Sequence, residues 1–112
     1  MAAIHTTRAL VLEAPVDLPD GAGGAIRGWQ GLGTLWAEVL PGTGREAAGE
    51  EFTIGSTPFR ITVRGAPPGS AERPQVGQRF REGVRLFTIL AVTERDAAGG
   101  WLICFAKEET PL

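Results

Sequence analysis

Phe59-Arg60-Ile61-Thr62-Val63-Arg64 alternates apolar and polar residues without a break. Successive side chains of a strand point to opposite faces. The stretch therefore reads as a β-strand with Phe59, Ile61 and Val63 on one face and Arg60, Thr62 and Arg64 on the other. Downstream, Gln78–Arg81 and Val84–Val92 flank Glu82-Gly83, which reads as the tight turn of a hairpin. Trp101–Ala106 reads as a closing strand after a turn at Asp96–Gly100. Upstream, Arg8–Glu13 and Thr34–Leu40 read as strands, with Pro41-Gly42 ending the second. Between them Pro15–Gly24 is dense in turn formers and reads as the tip of a long hairpin.

The connection from Gly44 to Gly55 has a different character. Arg45-Glu46-Ala47-Ala48-Gly49-Glu50-Glu51-Phe52 contains helix formers, but the central glycine costs about 1 kcal/mol in a helix. A long mobile loop with room for one helical turn is the expectation. The whole chain is then all-β: one small single-domain β-barrel or sandwich of about six strands spanning residues 1–112. The length of 112 residues suits one domain. Sixteen Gly and eight Pro fit short strands and turns better than helices. Alternation places Trp36, Phe59, Ile61, Val63, Phe80, Leu90, Trp101, Ile103 and Phe105 in the core. Val84–Val92 and Trp101–Ala106 are apolar on both faces, so their outer face needs a cover, from another subunit or from the Gly44–Gly55 loop.

The formal net charge is −2, a poor match to a general DNA binder, which needs a basic surface. The average conceals a split. Residues 1–58 hold three Arg against seven acids, whereas residues 59–95 hold seven Arg against three acids. Arg60, Arg64, Arg79 and Arg81 are therefore candidate subunit-interface residues, meeting acids of a neighbouring copy or an adjacent ring. Pairing within the chain, a solvated face and DNA contact are the competing readings.

No constellation for catalysis is visible. The chain has one Cys and one His, so neither a disulfide nor a zinc site can form within it. Cys104 sits in an apolar setting and reads as core rather than nucleophile. Phosphate-loop and zinc-protease motifs are absent, and no serine sits in a nucleophile elbow. Asp17 with Asp20, and Glu50 with Glu51, lie in Gly-rich segments and read as solvated surface. No catalytic residue, metal or cofactor is expected. No membrane-spanning run or signal peptide is seen, so a soluble, intracellular origin is the default expectation.

Taken in order, several stretches resemble the phage head–tail joining family, the head-closure or stopper proteins. Asp20, Gly23-Gly24 and Trp29 come first. Thr34-Leu35-Trp36-Ala37-Glu38-Val39-Leu40-Pro41 is similar to that family's central Trp-Ala-x-Val-x-Pro stretch, and Gly44-Arg45-Glu46 follows. Phe59–Arg64, Gly77-Gln78-Arg79-Phe80, Phe87–Val92 and Trp101-Leu102-x-Cys104 complete a match over most of the chain. The basic residues common near the family's start are reduced here to Arg8, and the Ala66–Pro74 turn is longer and richer in Pro.

The resemblance implies a non-enzymatic virion protein of a phage, prophage or gene transfer agent. It implies a small β-barrel in a dodecameric ring at the particle neck, assembled in the bacterial cytoplasm. Its partners would be other copies of itself, a portal or adaptor above, a tail terminator below and packaged double-stranded DNA in the channel, with no membrane. It also implies a channel-facing loop at Gly42–Thr57, where Glu46, Glu50, Glu51, Phe52 and Ile54 would face the DNA path. A tail-terminator-like or adaptor joint, or an OB-type single-strand-binding barrel, are the alternatives.

Overall fold

The computed structural model describes residues 3–42 and 55–109. They form six strands: β1 Arg8–Pro19, β2 Ala25–Pro41, β3 Ser56–Arg64, β4 Arg79–Glu82, β5 Arg85–Glu94 and β6 Trp101–Glu109. All neighbours pair antiparallel, and the order β1-β2-β3-β6-β5-β4 closes on itself through β4 and β1 into a barrel. Closure removes the exposed sheet edges that an open sheet of this size would present.

The core contains Leu10, Leu12, Ile61, Val63, Phe80 and Phe87, with Ile89, Leu102, Cys104 and Ala106 completing it. Phe59 packs against it, edge-on to Phe87 at 5.2 Å between ring centroids. Ile61, Val63 and Phe80 lie where alternation places them. The β6 assignment is corrected: Leu102, Cys104 and Ala106 face inward, and Trp101, Ile103 and Phe105 face outward. A strand apolar on both faces carries no period that distinguishes them, and the smaller side chains fit the barrel interior. Trp36 is also corrected, being 60% exposed. It pairs with Ala9, while the inward row of β2 is Leu35, Ala37 and Val39. Leu90 is the extra residue of a bulge between Ile89 and Ala91, which moves the inward role to Ile89 and Val92.

The Glu82-Gly83 turn is present one residue later, at Gly83-Val84 between the paired Glu82 and Arg85. The larger departure is the β1–β2 hairpin. β1 continues to Pro19 instead of stopping at Glu13, and β2 begins at Ala25 instead of Thr34. β4 pairs with β1 only over Val11–Glu13, and β3 pairs with β2 only over Ala37–Pro41. The hairpin beyond them is a two-stranded arm. Pro15 and Pro19 are tolerated there because that side of β1 has no ladder partner to need their missing N–H groups. At the tip, Asp20 Oδ1 accepts hydrogen bonds from the N–H groups of Ala22 (2.7 Å) and Gly24 (3.0 Å). At the arm's base, Leu32 is the extra residue of a second bulge, next to Gly33 with φ +140°.

The arm leaves the barrel at one end, together with the β3–β4 and β5–β6 connections. The segment 43–54 joins β2 to β3 at the opposite end, where the β4–β5 turn also lies.

Candidate assembly surfaces

Three side-chain groups stand out once the barrel is closed. The first caps the core at the end opposite the arm. Arg8, Glu82, Arg85 and Glu108 occupy inward-facing positions, in register with Leu10, Phe80, Phe87 and Ala106. Arg8 Nε donates to Glu82 (2.9 Å), and Arg85 donates to both oxygens of Glu108 (2.7 and 2.9 Å). Hydrogen bonds from Arg8 and Arg85 hold the Glu82 and Glu108 carboxyls below their ordinary value. The Arg85 guanidinium also lies 5.0 Å from the centre of the Phe87 ring, so its charge rests on the apolar core it covers.

The second group anchors the arm. Glu13 is buried on the outer side of the β1–β4 seam, where it accepts from Arg79 Nε (2.8 Å) and Arg81 Nε (2.9 Å). Burial alone would push its pKa up, but the two arginine hydrogen bonds outweigh it and hold the carboxyl below its ordinary value. Arg79 in turn stacks on Trp29 of the arm, with its guanidinium carbon 3.9 Å from the ring centre. β4, Glu13 and the arm are thus one packed unit. Arg79 and Arg81, read from the sequence as interface residues, contact an acid of their own chain. Sequence reasoning missed Glu13, and it noted Trp29 only within the family resemblance, not as a partner of Arg79. The sign of the charge split gave a partner's type but not whether it lay within the chain.

The third group is the outer wall of β2, β3 and β6. Ladder registry sets three rows across it: Trp36, Arg64 and Trp101; Glu38, Thr62 and Ile103; Leu40, Arg60 and Phe105. Arg64 lies over Trp101, with 4.8 Å between guanidinium carbon and ring centre. Thr6, Leu35, Trp36, Arg64 and Trp101 line a shallow groove of about 360 Å³. The other two candidate interface residues, Arg60 and Arg64, therefore stand among aromatic side chains on an outward face. The candidate loop residues Glu46, Glu50, Glu51, Phe52 and Ile54 lie outside the described residues.

No cluster of three or more metal-ligating side chains occurs among the described residues. Burial pushes the Cys104 thiol up to about 12, so it is protonated and inert. The arrangement offers a rigid barrel, a stiffened arm and an aromatic, arginine-bearing wall.

The family model for phage head completion proteins matches residues 1–109. The chain belongs to that family. Head completion proteins are structural parts of the virion, and the six-stranded barrel is this member's version of the part. A chain in the virion of a native gene transfer agent particle is 54% identical, with 98% of each chain covered and a TM-score of 0.76. A Shigella flexneri 2a protein, known from a solution structure, is 23% identical over 96% of each chain with a TM-score of 0.68, a likeness of fold. No curated protein matches in sequence.

Proposed function

We propose that this head completion protein closes the filled head of a phage-like particle as a ring. The ring, dodecameric by family resemblance, sits between the portal or its adaptor and the tail terminator, and holds packaged double-stranded DNA until a tail docks. The observation that carries the reading is the match over residues 1–109, joined to 54% identity with a gene transfer agent virion component. The neck of a particle assembled in the bacterial cytoplasm is the location that follows.

The β2–β3 connection is the part of the chain assigned to the channel. Its glycines Gly44, Gly49 and Gly55 permit rearrangement. Glu46, Glu50 and Glu51 would line the path with charge of the same sign as DNA, which disfavours tight binding and eases later exit. Phe52 and Ile54 would supply apolar contact between loops in the closed state.

The experiment is removal of the chain followed by complementation. Particles without it are expected as heads that lose DNA and lack tails, and the full chain is expected to restore both. Stable, DNA-filled, tailed particles without the chain would overturn the reading. Deletion of Ala47–Glu51 then isolates the loop: the expected result is a ring that forms while DNA leaks. Full retention before tail docking would remove the plug role.

A further inference from the structure

The even-numbered face of β1 is Leu10, Leu12, Ala14, Val16 and Leu18. Leu10 and Leu12 are buried in the barrel. The same face continues along the arm, where β2 adds Gly28 opposite Val16 and Ile26 opposite Leu18. No wall of the barrel stands over it there: Leu18 is 46% and Ile26 58% exposed. The other face of the arm carries Asp17, Arg27 and Trp29 and is partly held down by Arg79. The arm is therefore a ribbon with one apolar side, projecting about 20 Å beyond Glu13.

Segment 43–54 cannot supply the cover. It is anchored at Gly42 and Gly55, at the far end of the barrel, and twelve residues out and back reach about 20 Å at most. The tip of the arm lies about 50 Å along β2 from Pro41.

We infer that the apolar face of the arm packs on the β2–β3–β6 outer wall of a second copy of this chain. The inference rests on the ring proposed above and names the contact that would build it. The wall offers what the arm lacks, an apolar surface with exposed Trp36 and Leu40 beside a half-buried Trp101. Charge agrees at the tip: Asp20 is exposed there, and the wall exposes Arg64. Arm and wall are different surfaces of one molecule, so each copy gives one and receives the other. Such a heterologous contact propagates from copy to copy and closes when its rotation divides a full turn. A self-complementary contact would stop at a dimer. The Glu13–Arg79–Trp29 unit fixes the angle of the arm, and with it the rotation between copies.

The test is a photo-crosslinking side chain, p-benzoylphenylalanine, replacing Ile26 in assembled particles, with the same probe at Arg27 on the opposite face as control. The expected result is covalent dimers and higher multimers of this chain from position 26. Mass spectrometry should place the link in residues 34–40, 59–64 or 101–105. The control should give at least fivefold less. If the bulky probe blocks incorporation, the pair Leu18→Cys with Ile103→Cys gives the same readout on oxidation, as a ladder extending past the dimer. Crosslinks solely to another virion protein, or none, in particles whose necks show a ring would overturn the inference and leave the ring standing. Necks holding a single copy would overturn the ring itself, and the arm contact with it.

Discussion

One strand of this protein meets two fates. At its start, β1 turns Leu10 and Leu12 into a closed barrel, and at its end it turns Leu18 into open space along the same face. The alternation does not change at Glu13; the company does. β4 stops pairing there, and β3 never reaches the facing part of β2. Apolar periodicity therefore reports which face of a strand wants cover, while the lengths of the neighbouring strands decide whether the chain provides it. The residues at the boundary, Glu13 with Arg79 and Arg81, finish the covered region and brace the uncovered one.

The covered end should fail completely when charged. Ile61→Asp and Leu12→Asp each place an unpaired carboxylate in the core, and neither variant is expected to show a cooperative thermal melt. A transition within a few degrees of the parent's would contradict the core assignment. Truncation grades the contrast: Leu12→Ala should cost about 2–5 kcal/mol. Leu18→Ala, on the uncovered face, should stay within about 0.5 kcal/mol in the isolated chain. Equal losses in chemical denaturation would mean that the arm is part of the folding unit.

The boundary comes next in size. Glu13→Gln removes the acceptor pair that holds Arg79 and Arg81, for an expected cost of about 1–3 kcal/mol. It should also loosen Arg79 from Trp29, seen as a change in tryptophan emission that Glu109→Gln, at an exposed carboxylate, does not produce. Unchanged emission and stability would remove Glu13 as the brace.

Acid should act through the same groups. Glu13, Glu82 and Glu108 are all held below their ordinary value in the folded chain by arginine hydrogen bonds, so each releases its proton more readily folded than unfolded. Their contribution is complete above the unfolded carboxylate value and is lost as pH falls through the lower folded values. The melting temperature should be level down to about pH 5 and fall below it. Glu108→Gln should flatten that fall, and a decline as steep as the parent's would show that the ionic cap does not set it.

The β class and the six-strand count were legible because Phe59–Arg64 alternates and turn formers separate the other strands. The inward face of β6 was not, because Trp101–Ala106 is apolar on both sides and only the barrel's interior volume distinguishes Leu102 and Cys104 from Ile103 and Phe105. The arm was hidden by composition: Pro15, Pro19 and the glycines around Asp20 read as a loop, although Val16, Leu18 and Ile26 carried its period. The arginine interface divided in two. Arg79 and Arg81 found Glu13 through the β1–β4 closure, a contact 66 and 68 residues apart in sequence that no local pattern encodes. Arg60 and Arg64 kept their outward place because the alternation of β3 is unbroken.

A reconstruction of the assembled neck by electron cryomicroscopy, at a resolution that shows side chains, would show the arm contact directly. The expected result is a ring in which Leu18 and Ile26 of each copy are buried against Trp36, Arg64 and Trp101 of the next, while Leu10 and Leu12 remain in their own barrel. A neck in which the arm's apolar face stays in solvent, or is covered by a different protein, would contradict it.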